Sequence, residues 1–379
     1  MRTKVTEMLG IDFPIFAFTH CRDVVAAVTN AGGMGVLGAV AHTPEQLDVD
    51  LKWIREQTKG RPFGVDLLIP RKYVGSEEGG ITPGSLRQMI PDEHKQWLEE
   101  LLERYGVPEL PPSSDGKREQ RGMAGLRVDP KSMAPLIDVS FEHEVRLIAS
   151  ALGSPPAWLV ERAHAAGVPV AALAGRLDHA IAHKEAGADI IIAQGTEGGG
   201  HTGDIATMVL VPQVVDAVAP IPVLAAGGIA TGRQVAAAMC LGAEGVWCGS
   251  VWLTTNEAET TPVIREKFLA ATSADTLRSR SLTGKPARML RSPWTDAWEA
   301  PDAPDTLPMP LQSVLIAEAQ RRIHRVAHQP DSGARQLVTY FVGQCVGQMN
   351  TPMPARRVVA DMIEEFVSVM ERMNELTSE

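Results

Sequence analysis

Short apolar runs rich in β-branched residues recur along the chain, and most are followed by a segment whose apolar positions repeat at helical spacing. The runs lie at Pro14–Ala17, within Gly33–Gly38, and at Phe63–Leu68, Val145–Ala149, Val168–Leu173, Ile190–Ala193, Val223–Ala225 and Val246–Cys248. Helical spacing fits Asp23–Ala31, Pro44–Thr58, Ala157–Ala166, Leu177–Ala186, Met208–Val218 and Gln234–Leu241, with Thr231 as N-cap of the last. Strand then helix, repeated, predicts a parallel α/β sheet. Eight such strands predict closure into a (β/α)8 TIM barrel.

Two stretches break the rhythm. Residues 70–143 are too long for a βα connection. They hold Gly79-Gly80, the turn-rich segment Pro111–Gly116 and a charged helical piece at Asp92–Arg104. They predict an inserted helical excursion after the third strand, acting as a lid, a surface decoration or an oligomer contact. The second stretch begins near Asn256. It predicts a helix at Val263–Ser273, a proline-rich connector at Pro301–Pro310, and helices near Val314–His328, Ala334–Val346 and Pro354–Asn374. The expected division is a barrel over 1–255 carrying the insertion, a small helical accessory domain over 256–335, and C-terminal helices over 336–379 packing back on the barrel.

Composition agrees with this size. The 379 residues exceed the about 250 of a single barrel, leaving roughly 100 for an accessory part. A net charge of −10 gives no basis for nucleic acid or an anionic membrane as partner. No apolar run approaches the ~18–20 residues of a membrane span, and the N-terminus lacks a signal-peptide pattern. A cytoplasmic enzyme is expected, with homo-oligomerisation left open. Cys21, Cys240, Cys248 and Cys345 are scattered without a CxxC pair. That argues against a disulfide framework and against a zinc site, and no metal is expected.

The chemistry gathers after the last three strands. Gln194-Gly-Thr-Glu-Gly-Gly-Gly-His-Thr-Gly-Asp204 is a glycine-rich, flexible loop carrying one imidazole, His201. Glycine lets backbone approach a ligand where a Cβ would collide. The next two strands each end in glycine, at Gly227-Gly228 and at Gly249-Ser250. In (β/α)8 barrels these loops commonly bind phosphate through main-chain N–H groups. Gly33-Met-Gly-Val-Leu-Gly38 matches GxGxxG but contains a strand instead of following one, so it is read as turn glycine and not as a dinucleotide fingerprint.

Four segments together resemble the nitronate monooxygenase family, formerly called 2-nitropropane dioxygenases. They are Asn30-Ala-Gly-Gly-Met-Gly-Val-Leu-Gly38, Gln194-Gly-Thr-Glu-Gly-Gly-Gly-His201, Pro222-Val-Leu-Ala-Ala-Gly-Gly-Ile229 and Leu241-Gly-Ala-Glu-Gly-Val-Trp-Cys-Gly-Ser250. Gly343-Gln344-Cys-Val-Gly347 resembles the family's C-terminal glycine-glutamine motif. The resemblance implies a barrel binding FMN at its C-terminal face under a small helical domain. It assigns the FMN phosphate to Gly227, Gly228, Gly249 and Ser250. It sets Gln194, Gly199 and Gly200 beside the cofactor, Ala17, Phe18 and Thr19 along the isoalloxazine edge, and His201 over the reactive face as the catalytic residue. Asp66 stands where the family commonly has asparagine, and is expected to contact the flavin. Phe16-Ala-Phe-Thr-His-Cys21 replaces the usual glutamine-alanine-proline-methionine run, which brings His20 and Cys21 near the ring. Glu197 is expected to anchor its loop.

Three activities remain open on these residues. The first is FMN-dependent oxidation of a nitronate or related carbanion-like substrate with O2. The second is NAD(P)H-driven reduction of an enoyl thioester or quinone. The third is a barrel that binds a phosphate ligand without redox turnover.

Overall fold

In chain order the strands are β1 (Ile15–Thr19), β2 (Met34–Gly38), β3 (Gly64–Leu68), β4 (Leu147–Ala151), β5 (Val170–Ala174), β6 (Ile190–Gln194), β7 (Gly200–His201), β8 (Val223–Ala226), β9 (Gly245–Cys248), β10 (Thr276–Ser279) and β11 (Ala287–Leu290). This is a computed structural model, and it describes residues 1–68, 83–111 and 130–378. Strands β1, β2, β3, β4, β5, β6, β8 and β9 form a closed, all-parallel barrel in that order, with β9 pairing back to β1. The eight-stranded α/β barrel read from the sequence is therefore present.

Strand phase decides what each residue faces. Phe16, Val36, Ala149, Ile192, Leu224 and Trp247 meet in the barrel interior. Their neighbours Ile15, Ala17, Ile191, Ala193, Val223 and Val246 face outward into the helical layer. Val5 and Leu9 of the helix Lys4–Leu9 join the interior cluster and plug its N-terminal end. The helix Gly232–Cys240 starts at Thr231, whose hydroxyl accepts from Gln234 N while the Gln234 side chain accepts from Thr231 N, the reciprocal capping box. Gly35 lets β2 lie against the helix Arg22–Asn30, since a Cβ there would stand 2.4 Å from the Val25 carbonyl oxygen. The GxGxxG segment thus contains a strand, as expected, but Gly35 and Gly38 lie within that strand and not in flanking turns.

A second apolar core lies outside the barrel. Val263, Phe268, Trp294, Trp298, Ile316 and Ile323 belong to it, and so do Leu98, Leu101 and Leu102 of the helix Asp92–Arg104. The buried Arg322 guanidinium donates to Glu99 and to the Val107 and Pro108 carbonyls. The insertion is thus divided: the helix Asp92–Arg104 is built into the accessory core, while Met133, Leu136 and Ile137 of the helix Pro130–Glu142 pack into the barrel's helical layer. Residues 69–82 and 112–129, which include Gly79-Gly80 and most of Pro111–Gly116, lie outside the described residues.

Two expectations about the C-terminal third need correction. It is not purely helical, because β10 and β11 pair antiparallel and β7 adds to β11 as a third strand. The expected helix Ala334–Val346 stops at Leu337. Beyond it, Phe341 bridges to Met289, Leu290 N donates to Tyr340 O, and a 3-10 turn covers Gln344–Gln348. Backbone pairing with β11 outweighs the helical spacing of the apolar residues there. The final helix, Ala355–Thr377, packs closely on the helix Gly232–Cys240. A Cβ at Gly232 would lie 2.2 Å from the Met362 carbonyl oxygen. Among the described residues, no helix is long and apolar enough to cross a membrane.

Candidate active site

The C-terminal ends of β6, β8 and β9 converge on the glycine-glutamine segment Gly343-Gln344. Gly343 N donates to Ser250 Oγ at 2.8 Å, and Gln344 N donates to Glu197 O at 2.9 Å. Gly199 presses against the same segment, where a Cβ would meet Gly343 N and Val342 C at 2.8 Å. Gly195 N donates to Ala226 O, joining the end of β6 to that of β8. Glu197 accepts from Thr207 N and Thr207 Oγ1 and so caps the helix Thr207–Val218, the anchoring role expected of it.

The glycines at these ends are required for different reasons. Gly227 and Gly228 have φ of 106° and 70°, which L side chains rarely adopt. A Cβ at Gly227 would lie 2.8 Å from Thr207 Oγ1, and one at Gly228 would lie 3.0 Å from Glu197 Cβ. Gly249 has φ −117°, and a Cβ there would find only Phe18 Cδ1 at 3.9 Å. The protein's own atoms therefore do not demand glycine at 249, and the space over it is free for a ligand. A cavity of about 320 Å³, at the small end of the range for ligand sites, adjoins Gly227 and Gly228 and is lined further by Glu197, Thr207, Gln234 and Gln344. His201 and Asp66 do not line it. The open space over Gly249 and the cavity beside Gly227 and Gly228 each have room for a small ligand group such as a phosphate.

The other residues expected to edge the ring divide by strand phase. Phe18 and Gln194 lie on the inward phase of β1 and β6. Phe18 stacks on Trp247 with ring centroids 6.1 Å apart. Ala17 faces the helical layer, and Thr19 Oγ1 accepts from Cys21 N, so neither side chain is directed at the mouth. Asp66 lies between the outward-facing Val65 and Leu67, which places its carboxyl inside the barrel. It is buried, and desolvation pushes its pKa up to about 8, so it is neutral at pH 7. His20 Nδ1 is 2.9 Å from Gly38 O, and its ring meets the edge of Phe18. Cys21 Sγ lies 3.1 Å from Glu257 O.

The loop carrying His201 is not the flexible loop the sequence suggested. Gly200 and His201 form β7, with His201 opposite Ala287 and Gly200 opposite Arg288. Arg288 Nε donates to Thr196 O at 2.8 Å, and Arg278 holds both Thr202 O and Asp204. His201 Nδ1 lies 3.2 Å from the Pro286 carbonyl oxygen, which can only accept. The proton therefore resides on Nδ1 and the Nε2 lone pair is left basic. Burial lowers the pKa of this imidazole, and the nearby Lys285 ammonium lowers it further, so the ring is neutral at pH 7. Phe341 stands against it with centroids 6.3 Å apart. Pro286, Arg288 and Phe341 escaped the sequence reading. The signal for the first two was the Gly284-Lys-Pro turn followed by four residues of strand.

Comparison with known proteins identifies the family. The profile described as nitronate monooxygenase matches residues 2–365. The provisionally assigned monooxygenase Rv1533 of Mycobacterium tuberculosis (strain ATCC 25618 / H37Rv) is 61% identical over 376 residues, covering 99% of both chains. A Staphylococcus aureus (strain Newman) protein provisionally assigned as a nitronate monooxygenase is 28% identical over 386 residues, covering 98% of this chain and 99% of that one. The crystal structure of nitroalkane oxidase from Streptomyces ansochromogenes superposes with a TM-score of 0.78 at 26% identity, over 97% of this chain and 99% of that one. The chain belongs to the nitronate monooxygenase family of flavin-dependent oxidoreductases.

Proposed function

We propose that the protein binds FMN and oxidises a nitronate, or the nitroalkane that gives rise to it, with O2 as co-substrate. The observation that carries this reading is His201, a half-buried, neutral imidazole with its Nδ1 proton fixed on Pro286 O and Nε2 free. Such a group can take the acidic C–H proton of the neutral nitroalkane, which gives the nitronate. Gly227, Gly228, Gly249 and the Ser250 backbone would hold the phosphate. The preference for FMN over FAD follows from the single glycine cradle and the absence of a dinucleotide fingerprint. Phe18, Gln194 and Gly200 would border the ring system. Asp66, neutral at pH 7, would donate its O–H to a flavin carbonyl as an asparagine N–H would. The bound flavin supplies the electron acceptor and the route to O2.

The test begins with the purified, flavin-loaded protein under anaerobic conditions. A nitronate such as ethyl nitronate should bleach the flavin, and NADH should not. Bleaching by NADH alone would overturn the reading in favour of an enoyl thioester or quinone reductase. Mass spectrometry of the released cofactor should find FMN, and FAD would overturn the cofactor assignment. A protein unable to take up any flavin would leave the non-redox phosphate-binding barrel.

A further inference from the structure

Two of the three cations beside the His201 loop have a carboxylate in answer, and one does not. Arg278 pairs with Asp204, and Glu197 offsets Arg288 electrostatically. Lys285 has no ion pair and no side-chain hydrogen bond among the described residues. It is nonetheless only partly exposed, and desolvation works against its charge. Its position is fixed by its neighbours. Lys285 N donates to Thr283 Oγ1, the following residue Pro286 offers its carbonyl to the His201 ring, and Ala287 stands opposite His201 across the β7–β11 pair.

An unpaired, half-buried cation costs free energy unless something answers its charge. The imidazole beside it cannot, because it is neutral and is disfavoured from becoming a cation. A neutral His201 can remove a proton but cannot balance the anion that removal creates. The two groups are complementary: a base at Nε2, and a positive charge near enough to oppose protonation of the ring and so to favour negative charge beside it.

We propose that Lys285 binds the anionic head of the substrate, the paired oxygens of a nitronate or an equivalent planar oxyanion, while His201 handles the proton. The name of the substrate rests on the nitronate reading above, but the anionic character of the subsite does not. Lys285 is then a specificity-determining residue. It favours substrates that are anions or become anions at the carbon His201 deprotonates.

The probe is nitrite, a small planar oxyanion, titrated into the flavin-loaded protein and followed by the flavin absorption spectrum. Loss of a charge-assisted hydrogen bond should raise the nitrite Kd about 10- to 100-fold in Lys285→Ala. Lys285→Arg should stay within about threefold of wild type, since it keeps the charge. Lys285→Gln keeps the length without the charge and should behave like Lys285→Ala; it replaces that variant if Lys285→Ala does not hold flavin. With ethyl nitronate, KM should rise more than kcat falls. The acidic limb of kcat/KM should also move to higher pH, because the charge opposing His201 protonation is gone. Arg278, Arg288, Asp204 and Glu197 are the other charges near that ring, and all are unaltered in these variants. A nitrite Kd unchanged in Lys285→Ala and Lys285→Gln, or no nitrite binding to the wild type, overturns the proposal. If nitronate fails to bleach the flavin while nitrite binding still depends on Lys285, the anion site stands and the nitronate reading alone falls.

Discussion

The two ends of the site are built on opposite plans. At the β8–β9 end, the proposed phosphate site, the groups on offer are backbone, and the sequence records them as glycine: Gly227, Gly228 and Gly249 follow consecutive barrel strands. At the His201 end the working groups are side chains and carbonyls contributed by distant segments. The ring on β7 depends on Pro286 O, 85 positions away, and its loop is clamped by Arg278 and Arg288 from β10 and β11. The first end is local and belongs to the barrel. The second is an interface between barrel loop and accessory sheet. Cofactor retention should therefore follow the barrel glycines, and turnover should follow the accessory contacts.

The sharpest separation should come from His201→Ala. Turnover with the preferred substrate should fall about 10²–10⁴-fold, the usual contribution of a positioned acid or base. Flavin content should be unchanged, since no phosphate-end group is touched. Steady-state kinetics beside the absorption spectrum of the purified variant check both halves. Near wild-type turnover would reduce His201 to a structural residue.

The converse variant is Gly249→Ala. Its backbone is open to alanine, and the new Cβ would meet only Phe18 at 3.9 Å, so the empty protein should fold with unchanged thermal stability. FMN affinity should fall about 10- to 100-fold, the equivalent of one charge-assisted bond to phosphate. Gly228→Val is a blunter tool, because φ of 70° and Glu197 Cβ at 3.0 Å would strain the protein with or without a ligand. Flavin titration paired with thermal unfolding distinguishes the two. Unaltered flavin affinity in Gly249→Ala would move the phosphate away from the β9 end.

The barrel and its glycine ends were legible because each rests on a repeating or local rule. A buried strand shows as a short apolar run, and a close backbone approach shows as missing Cβ atoms. The accessory sheet was not legible. Strands β10 and β11 have four residues each and β7 has two, too few for alternation to emerge, and two of the eight residues in β10 and β11 are arginines, Arg278 and Arg288. Residues 334–346 repeat apolar positions at helical spacing, and only their pairing with β11 makes them extended. The inward or outward sense of Ala17, Phe18 and Thr19 depends on strand phase, which a run of apolar residues ending in Thr-His-Cys does not declare. The protonation state of Asp66 exists only after the barrel closes around it.

An intermediate effect should come from the clamp itself. Arg288→Met retains the apolar stem but removes the bonds to Thr196 O and Thr276 Oγ1. The β7 strand then loses one of its tethers, and the imidazole is less well aimed. A fall in kcat of about tenfold is expected, comparable to losing one such bond in the transition state, with flavin affinity nearly unchanged. Equal losses in kcat and flavin affinity would mean that the two ends of the site are mechanically one.

The smallest effect, and the one that probes where the two plans meet, is expected at Asp66. This residue belongs to the barrel by position but acts through a side chain. Burial raises its pKa to about 8, so the carboxyl is neutral and able to donate below that value and becomes an anion without a donor above it. A flavin carbonyl bound against it would raise the pKa a little further by favouring the protonated form. Flavin affinity of the wild type should then be flat from pH 6 to about 8, the pKa of the unliganded protein. Between that value and the higher pKa of the complex it should decline, by at most about tenfold per pH unit, and then level off. Asp66→Asn carries a donor at every pH, so its affinity should show no such decline and should match the wild type near neutrality. Flavin titrations of both proteins at pH 6, 7, 8 and 9 decide the matter, with Gly249→Ala as a reference whose weakened binding should keep the wild-type pH dependence. If the decline persists in Asp66→Asn, another group titrates. If the wild type shows none, Asp66 does not donate to the flavin, and the inward carboxyl serves the barrel and not its cofactor.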